Sequence, residues 1–283
     1  MRVLALRAAT TIAGALAIGA LAPATPARGY PGGTPDYQTD VAPFCAACHS
    51  SRVEAELAGA PGDRAAKELA ANKQIALIKA GEKVLGAPGY DGLSEADRAT
   101  LAKQIEALDA ASTVALAAPA SVKPGETFTV KVTVTGGGGP VVGVGLVDAA
   151  HRWFARPAPA AGWEIVAAPA IVGPDGQPQS AWLDKRPERL GRNLSFVNVT
   201  GVASDPAKGT YPKSEVTFQL RAPGAAGSYP LAAVFLYGTE KSTPLGYVVD
   251  PKDPLQRKQI RGGFTGGSGR VLFSDVAQIA VKP

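Results

Sequence analysis

Both cysteines of this 283-residue chain lie in "PFCAACHSSR", residues 43 to 52, and a histidine directly follows the second cysteine. The spacing Cys45-x-x-Cys48-His49 is typical of covalent haem attachment. Each thiol can add to one vinyl group of the porphyrin, and the adjacent imidazole can then bind the iron from the proximal side. The motif therefore predicts one haem c, held by Cys45 and Cys48, with His49 as the proximal iron ligand.

A redox-active dithiol and a zinc site are the alternatives for this motif. A thioredoxin-like dithiol requires a strand, a turn and a helix around the two cysteines, and the flanking sequence lacks that pattern. A zinc site would need two more ligands, and His49 and His151 are the only histidines of the chain. A disulfide across two intervening residues would be strained and redox-active, which makes it a poor structural crosslink. Haem attachment is the favoured interpretation.

The N-terminus predicts export. Arg2 and Arg7 precede the apolar run "TIAGALAIGALA", and "PATPARGY" then offers small residues for cleavage after Ala24 or Ala27. This is the layout of a secretory signal peptide, which we place at residues 1–27. No later segment approaches the roughly 20 apolar residues that a spanning helix needs. We expect a bacterial protein, periplasmic or secreted, with no integral membrane segment after signal cleavage.

A change of composition near residue 112 predicts two domains. Residues 28–112 are rich in alanine and helix formers, with 9 Lys+Arg against 12 Asp+Glu, a net charge of −3. Residues 113–283 are rich in Val, Thr, Gly and Pro, with 18 Lys+Arg against 12 Asp+Glu, a net charge of +6. The opposite charges fit two ordinary solvated surfaces. They also fit a basic domain that docks on the acidic one or on a separate partner.

Two amphipathic helices are predicted in the first domain. In "LSEADRATLAKQIEALDAA", Ser94 can cap the helix, Asp97 stands three residues on as in a capping box, and Leu101, Ile105 and Leu108 form one apolar stripe. The segment "AAKELAANKQIALIKAGEKVLG" offers a partner helix that stops at Gly86 and Pro88. The apolar stripe of that partner comprises Leu69, Ile75, Ile78 and Leu85.

With the haem motif ahead of these helices, residues 38–110 resemble a small class I cytochrome c. The resemblance covers a quarter of the chain and implies an all-α haem domain. In that family the second iron ligand is usually a methionine in a turn shortly before the final helix. The matching text is "VLGAPGYDGLSEADR", and the matching position is Ala87. Met1 is the only methionine and leaves with the signal peptide, so methionine ligation is excluded.

Several possibilities remain for the distal side of the iron. The site could be vacant or bind water, or it could take Lys79, Lys83 or Tyr90, although a lysine must first lose its proton. The other possibility is His151, which ends a predicted strand in "VGVGLVDAAHRWFARP". Either the second domain folds over the haem and presents His151 as the distal ligand, or His151 is an ordinary histidine at a strand end beside core aromatics.

The second domain is predicted to be all-β. "ETFTVKVTVTG" and "SEVTFQLRA" alternate apolar and polar residues, and glycine- and proline-rich turns separate about seven short strands, as in an immunoglobulin-like sandwich. Through "SVKPGETFTVKVTV", "GVGLVDA" and "VTFQLRAPGAAGSYPLAAVFLYG" it resembles Reeler-type or choice-of-anchor β-sandwich domains, which implies an accessory module without catalytic residues. The expected fold class is α+β with two domains: a small all-α cytochrome c-like domain and an all-β immunoglobulin-like sandwich.

Two functions follow from these expectations. An exported monohaem electron carrier, whose β domain docks a partner or covers the haem, predicts six-coordinate, low-spin iron and an as yet unidentified redox partner protein. A small-ligand binder or sensor with an open distal site predicts five-coordinate iron that takes CO. An oxidase or peroxidase is disfavoured because no distal His and Arg pair is visible near the motif. The carrier is favoured, and no nucleic-acid partner is expected.

Overall fold

The computed structural model describes residues 70–82, 90–148, 157–179, 195–240 and 269–283. The described helices are α1 (Ala70–Ala80) and α2 (Glu95–Ala111), with a 3-10 turn at Ala158–Ala161. Neither α1 nor α2 is long and apolar enough to span a bilayer. The strands are β1 (Thr113–Ala117), β2 (Ser121–Val122), β3 (Thr127–Thr135), β4 (Gly138–Val147), β5 (Glu164–Ile165), β6 (Ala170–Val172), β7 (Pro178–Gln179), β8 (Phe196–Thr200), β9 (Lys213–Arg221), β10 (Gly227–Gly238), β11 (Gly269–Phe273) and β12 (Ala277–Val281).

Helix α2 forms as its sequence predicts. Ser94 is the N-cap, and its hydroxyl oxygen accepts a hydrogen bond from the Asp97 backbone N–H at 3.1 Å. That bond satisfies one of the donors that the first turn of a helix leaves unpaired. The predicted stripe of Leu101, Ile105 and Leu108 is buried. The predictions of this helix, its cap and its buried face are confirmed.

Helix α1 ends earlier than predicted. We expected the helix to continue to Gly86, but it stops at Ala80 because Gly81 adopts a φ of 69°, in the left-handed region. The Gly81 N–H donates to the Ile78 carbonyl and the Glu82 N–H donates to the Leu77 carbonyl, which is a Schellman motif. Glycine adopts this conformation at little cost, so local backbone chemistry ends the helix before its apolar pattern runs out.

The strands form two sheets. Sheet 1 has the order β1-β3-β9-β6-β7, with β5 also paired to β9, and sheet 2 has the order β2-β12-β10-β4-β8, with β11 also paired to β10. The two predicted alternating segments are β3 and β9, which pair antiparallel with Val130 opposite Phe218 and Val132 opposite Val216. These four side chains are buried. The alternation therefore predicts correctly which face of sheet 1 turns inward.

One apolar core joins both sheets and both helices. Ile78 of α1 and the stripe of α2 belong to the same cluster of buried side chains as the inward residues of the two sheets. Sheet 1 contributes residues such as Val132, and sheet 2 contributes residues such as Phe235. The helices therefore bury their apolar stripes together with the sheets and do not form a core of their own.

The expected fold class is wrong. We expected a small all-α cytochrome c-like domain beside an immunoglobulin-like sandwich, but the described residues are mostly strand, arranged in two sheets, and include only two α-helices. The physical reason is that amphipathic stripes show which helix face is buried and leave open what covers it. Here sheet residues share in covering both helices.

The predicted domain boundary falls at Ser112, the C-cap of α2. The Ser112 hydroxyl accepts a hydrogen bond from the Gly137 N–H at 2.9 Å, and β1 begins at the next residue. The division into residues 28–112 and 113–283 stays a prediction, as does the signal peptide at 1–27, which lies outside the described residues.

A candidate site at the junction of helices and sheet

The residues predicted to hold haem lie outside the described residues. These are Cys45, Cys48 and His49, together with the possible distal ligand His151. The donor set itself fits a covalent haem, because two thiols match the two vinyl groups and an imidazole is a common axial ligand of haem iron. Within the described ranges, no group of three or more His, Cys, Asp or Glu side chains could hold a metal ion.

The described residues contain a buried polar cluster where both helices meet one end of sheet 2. We call it the polar junction. Gln74 comes from α1 and Asp109 from the last turn of α2, while Tyr90 lies between the helices. The sheet contributes residues at the end of β10 and the start of β11. The members of the polar junction are Gln74, Tyr90, Asp109, Tyr237, Thr239, Glu240 and Arg270.

An ion pair fixes α2 to the sheet. The Arg270 Nε donates to Asp109 Oδ2 at 2.9 Å, and the Arg270 side chain is fully buried while that of Asp109 is 17% exposed. The Tyr237 hydroxyl donates to the other carboxylate oxygen, Oδ1, also at 2.9 Å. Tyr237 and Arg270 are cross-strand partners, so the sheet register aims both donors at one carboxylate. Asp109 also stands near the negative end of the helix dipole, and the guanidinium offsets that repulsion.

Gln74 links the ion pair to a second carboxylate. Its side-chain oxygen accepts from the Arg270 Nη2. Its Nε2 donates to Thr239 Oγ1 at 3.0 Å and to Glu240 Oε2 at 2.6 Å. Gln74 is 1% exposed, and Thr239 and Glu240 are fully buried. One amide from α1 therefore satisfies polar groups at the ends of both β10 and β11, which a buried network requires for stability.

Tyr90 completes the polar junction from the segment between the helices. Its hydroxyl donates to Glu240 Oε1 at 2.8 Å, and its backbone N–H donates to the Glu82 carbonyl at 2.9 Å. Burial raises the pKa of Tyr90 far above its usual range, and the nearby Glu240 carboxylate raises it further. Burial likewise raises the pKa of Tyr237, with Asp109 adding to the effect. Both phenols therefore stay protonated and act as hydrogen-bond donors.

The polar junction is built to hold structural elements together. Its carboxylates, guanidinium, amide and phenols bond to one another, and this arrangement holds α1, α2 and the segment at Tyr90 against sheet 2. A nucleophile or general base would need an open approach for substrate, whereas the side chains of Glu240, Arg270 and Tyr237 are almost wholly buried. We therefore assign the polar junction a positioning role.

This geometry bears on two of the proposed distal ligands. Tyr90 already donates to Glu240, and its raised pKa opposes the anionic phenolate that iron prefers. The Lys79 ammonium lies 3.5 Å from the Glu106 carboxylate, on a side chain that is 60% exposed. Lys83, Ala87 and His151 lie outside the described residues.

A second feature is a shallow hollow of about 300 Å³ between the β6–β7 turn and the end of β8. Its wall includes Gln179, whose side-chain amide donates to the Thr200 carbonyl at 2.9 Å and whose oxygen accepts from the Thr200 N–H at 3.0 Å. The nearby Asp175 carboxylate accepts from the Gln177 N–H at 3.0 Å. These polar side chains are engaged with the protein itself, so the hollow is a weaker candidate.

Sequence reasoning did not find the polar junction. Gln74, Glu240 and Arg270 belong to no motif, and Gln74 is 196 residues from Arg270 along the chain. A partial signal exists, because Glu240 lies two residues after the apolar run "LAAVFLYG" and Arg270 directly precedes "VLF". A charged residue directly beside a buried strand is a candidate for a paired, buried charge. Comparison with protein-family models and with curated proteins gave no match for this chain.

Proposed function

We propose that this chain is an exported monohaem c-type cytochrome that carries electrons. The observation that carries the proposal is the Cys45-x-x-Cys48-His49 motif behind a secretory signal layout, in a chain with no other cysteine. When bound, the haem would supply a one-electron redox centre. Cys45 and Cys48 would hold it covalently, and His49 would bind its iron.

The geometry of the polar junction supports this proposal. A carrier must hold its redox centre in a fixed environment, because exposure and nearby dipoles set the potential. Helix α1 begins at Ala70, 21 residues after His49, and the polar junction ties α1 to sheet 2 through Gln74. The haem motif is therefore followed along the chain by an element that is fixed to the sheet.

Ligand binding at an open iron is the second candidate function. It is favoured by the hydrogen bond from the Tyr90 hydroxyl to Glu240, because this buried bond removes one local side chain that could fill the sixth position. Alanine at position 87 offers no donor atom. His151 is then the remaining imidazole that could complete a six-coordinate site.

An absorption spectrum of the haem-matured protein, oxidised and reduced, with and without CO, tests both candidates. The carrier predicts low-spin spectra that CO does not change, and His151→Ala should then convert the protein to a CO-binding form. Lys79→Ala is the matched control and should leave the spectrum unchanged. A high-spin wild-type spectrum that shifts with CO would replace the carrier by a ligand binder. Absence of covalent haem after maturation would refute both candidates.

A further inference from the structure

Strand β1 is an open edge of sheet 1. Among the described strands it pairs with β3 alone, so it is the terminal strand on that side. Terminal strands usually carry a charge, a proline or a bulge, or are very short, and these features keep other chains from pairing with them. β1 is "TVALA", five residues in unbroken register with β3 and without charge or proline. At the opposite end of the sheet, β7 has two residues, of which one is Pro178.

The hydrogen bonds between β3 and β9 show how the backbone groups of β3 are directed. Backbone groups alternate along a strand between its two sides. At one end of this pair the Gly136 N–H donates to the Pro212 carbonyl. At the other end the Ala222 N–H donates to the Glu126 carbonyl. The even-numbered residues of β3 therefore bond to β9, and its odd-numbered residues bond to β1.

The same alternation assigns the backbone groups at the free edge of β1, the side away from β3. Thr133 lies opposite Ala115, so the odd-numbered residues of β1 bond to β3. The N–H and C=O groups of Val114 and Leu116 then point to the free edge. Among the described residues, none of these groups has a hydrogen-bond partner. The edge is therefore ready to pair with the backbone of another extended segment.

The apolar core is also open at this edge. The side chains of Val114 and Leu116 pack against the core but are only half-buried. Their cross-strand partners on β3, Val134 and Val132, are buried. A strand added beside β1 would cover Val114 and Leu116 and remove their apolar surface from water, which favours association. Backbone and side chains of this edge thus call for the same kind of partner.

We propose that β1 pairs with β1 of a second copy of this chain, antiparallel and around a two-fold axis at Ala115. In this register Val114 lies opposite Leu116 of the partner subunit, and the two residues exchange their free N–H and C=O groups. The symmetry repeats this pair, which gives four hydrogen bonds in all. Ala115 faces its own copy between the two pairs. The proposal is independent of the haem.

The outward side chains favour a second copy over a charged peptide. Thr113, Ala115 and Ala117 are exposed, small and uncharged, so β1 offers no charge that would select an acidic or a basic segment. In the two-fold register Ala117, beside Lys131, faces Thr113 of the partner subunit, beside Thr135 of the partner subunit. No like charges therefore face each other across the contact, and no charge is buried in it.

The contact is small and closed. It has five residues on each side, compared with roughly 20–30 in a stable interface, so we expect a weak dimer that forms as the protein concentration rises. The Ser112 N–H donates to the Leu108 carbonyl within α2 and adds no bond to the ladder. Each copy uses its β1 edge once, so the pairing adds no third chain there.

Sedimentation equilibrium of the purified full chain over a range of concentrations tests the proposal, and we expect a monomer–dimer equilibrium. Ala115→Lys places two like charges opposite each other in the dimer and should raise the dissociation constant at least about tenfold. Ala115 is exposed, so the monomer should stay folded. Thr129→Lys is the matched control, because it adds the same charge at an exposed position of β3, outside the contact, and should leave the dissociation constant unchanged.

A mixture of Ala115→Lys and Ala115→Glu chains tests the register. Each variant alone should be largely monomeric, whereas the mixture should form a mixed dimer because opposite charges then face each other. A wild-type chain that stays monomeric at every concentration would overturn the proposal. An equally tight dimer of Ala115→Lys would also overturn it, since the contact would then lie elsewhere. A mixture that stays monomeric would overturn the antiparallel register at Ala115.

Discussion

In both sheets successive side chains point to opposite faces, but the outward faces of the two sheets have different surroundings. The outward face of sheet 1 is solvated: Thr129, Lys131 and Gln219 are exposed, and Lys131 and Lys213 pair with Glu215 at the surface. The outward face of sheet 2 carries Val234, Leu236 and their neighbours, almost fully buried. Sheet 1 is thus an outer layer, whereas sheet 2 is an inner layer with apolar side chains buried on both sides. The same contrast separates the exposed ion pairs of sheet 1 from the buried pair at the end of sheet 2.

The largest expected effect comes from breaking the buried ion pair. Arg270→Met removes the guanidinium and leaves the Asp109 carboxylate largely buried without its counter-charge, so we expect the free energy of unfolding to fall by about 3–5 kcal/mol. Denaturant unfolding measures this loss. The control is Lys131→Met, which breaks a surface pair and should cost at most about 1 kcal/mol. Equal losses of unfolding free energy in the two variants would contradict the expected difference between the buried ion pair and the surface ion pair.

Truncation of a side chain on the outward face of sheet 2 is expected to have the next largest effect. Leu236→Ala should lower the free energy of unfolding by about 2–5 kcal/mol, because it leaves a cavity beneath whatever covers that face. Thr129→Ala on the outward face of sheet 1 should change it by less than about 0.5 kcal/mol. Thermal or denaturant unfolding of both variants gives the comparison. An unchanged free energy of unfolding in Leu236→Ala would mean that nothing packs tightly on the outward face of sheet 2.

A smaller effect is expected at the edge of the polar junction. Tyr90→Phe keeps the ring and removes the hydroxyl that donates to Glu240, which should cost about 1–3 kcal/mol because a buried acceptor loses its partner. Tyr229→Phe is the control, since the Tyr229 hydroxyl donates to the Ala225 carbonyl at the exposed surface. The loss of unfolding free energy should be larger in Tyr90→Phe. A larger loss of unfolding free energy in Tyr229→Phe would argue against the positioning role of the polar junction.

The smallest effect is the pH dependence of sheet 1's surface pairs. Lys213 and Lys131 lower the pKa of Glu215 below its ordinary value of 4.5. The stabilisation is therefore present above the unfolded-state pKa and is lost as pH falls through the lower folded-state pKa. Glu215→Gln should therefore lower the free energy of unfolding slightly at neutral pH, and its difference from the wild type should disappear as pH falls through that acidic window. Unfolding midpoints of the variant and the wild type, measured from neutral pH down through that window, test this prediction. An identical pH dependence of the two midpoints would contradict it.

Local signals predicted the elements that local chemistry determines. The cap at Ser94 and the stripe through Ile105 lie within one helix, and the alternation through Val132 lies within one strand, so each could be predicted from neighbouring residues. The end of α1 at Gly81 could not, because the apolar pattern continues past a glycine whose left-handed conformation stops the helix. The fold class failed for a different reason: an amphipathic stripe does not say which surface covers it.

Sheet 2 did leave a signal that the sequence prediction did not use. The runs "VVGVGLV" of β4 and "LAAVFLYG" of β10 are apolar without alternation, which is typical of strands buried on both faces. The polar junction left much less, because Gln74 and Arg270 are ordinary surface-type residues that only the fold brings together. The motif at Cys45, Cys48 and His49 remains a sequence prediction.

The bonds between Gln179 and Thr200 have a consequence for self-association. β7 and β8 are the terminal strands in the described order of their sheets, and terminal strands offer unpaired backbone groups to other chains. The Gln179 amide occupies both the N–H and the carbonyl of Thr200, much as a neighbouring strand would. It joins the two sheets at that edge, so at Thr200 neither the N–H nor the carbonyl is left free to pair with a strand of another chain.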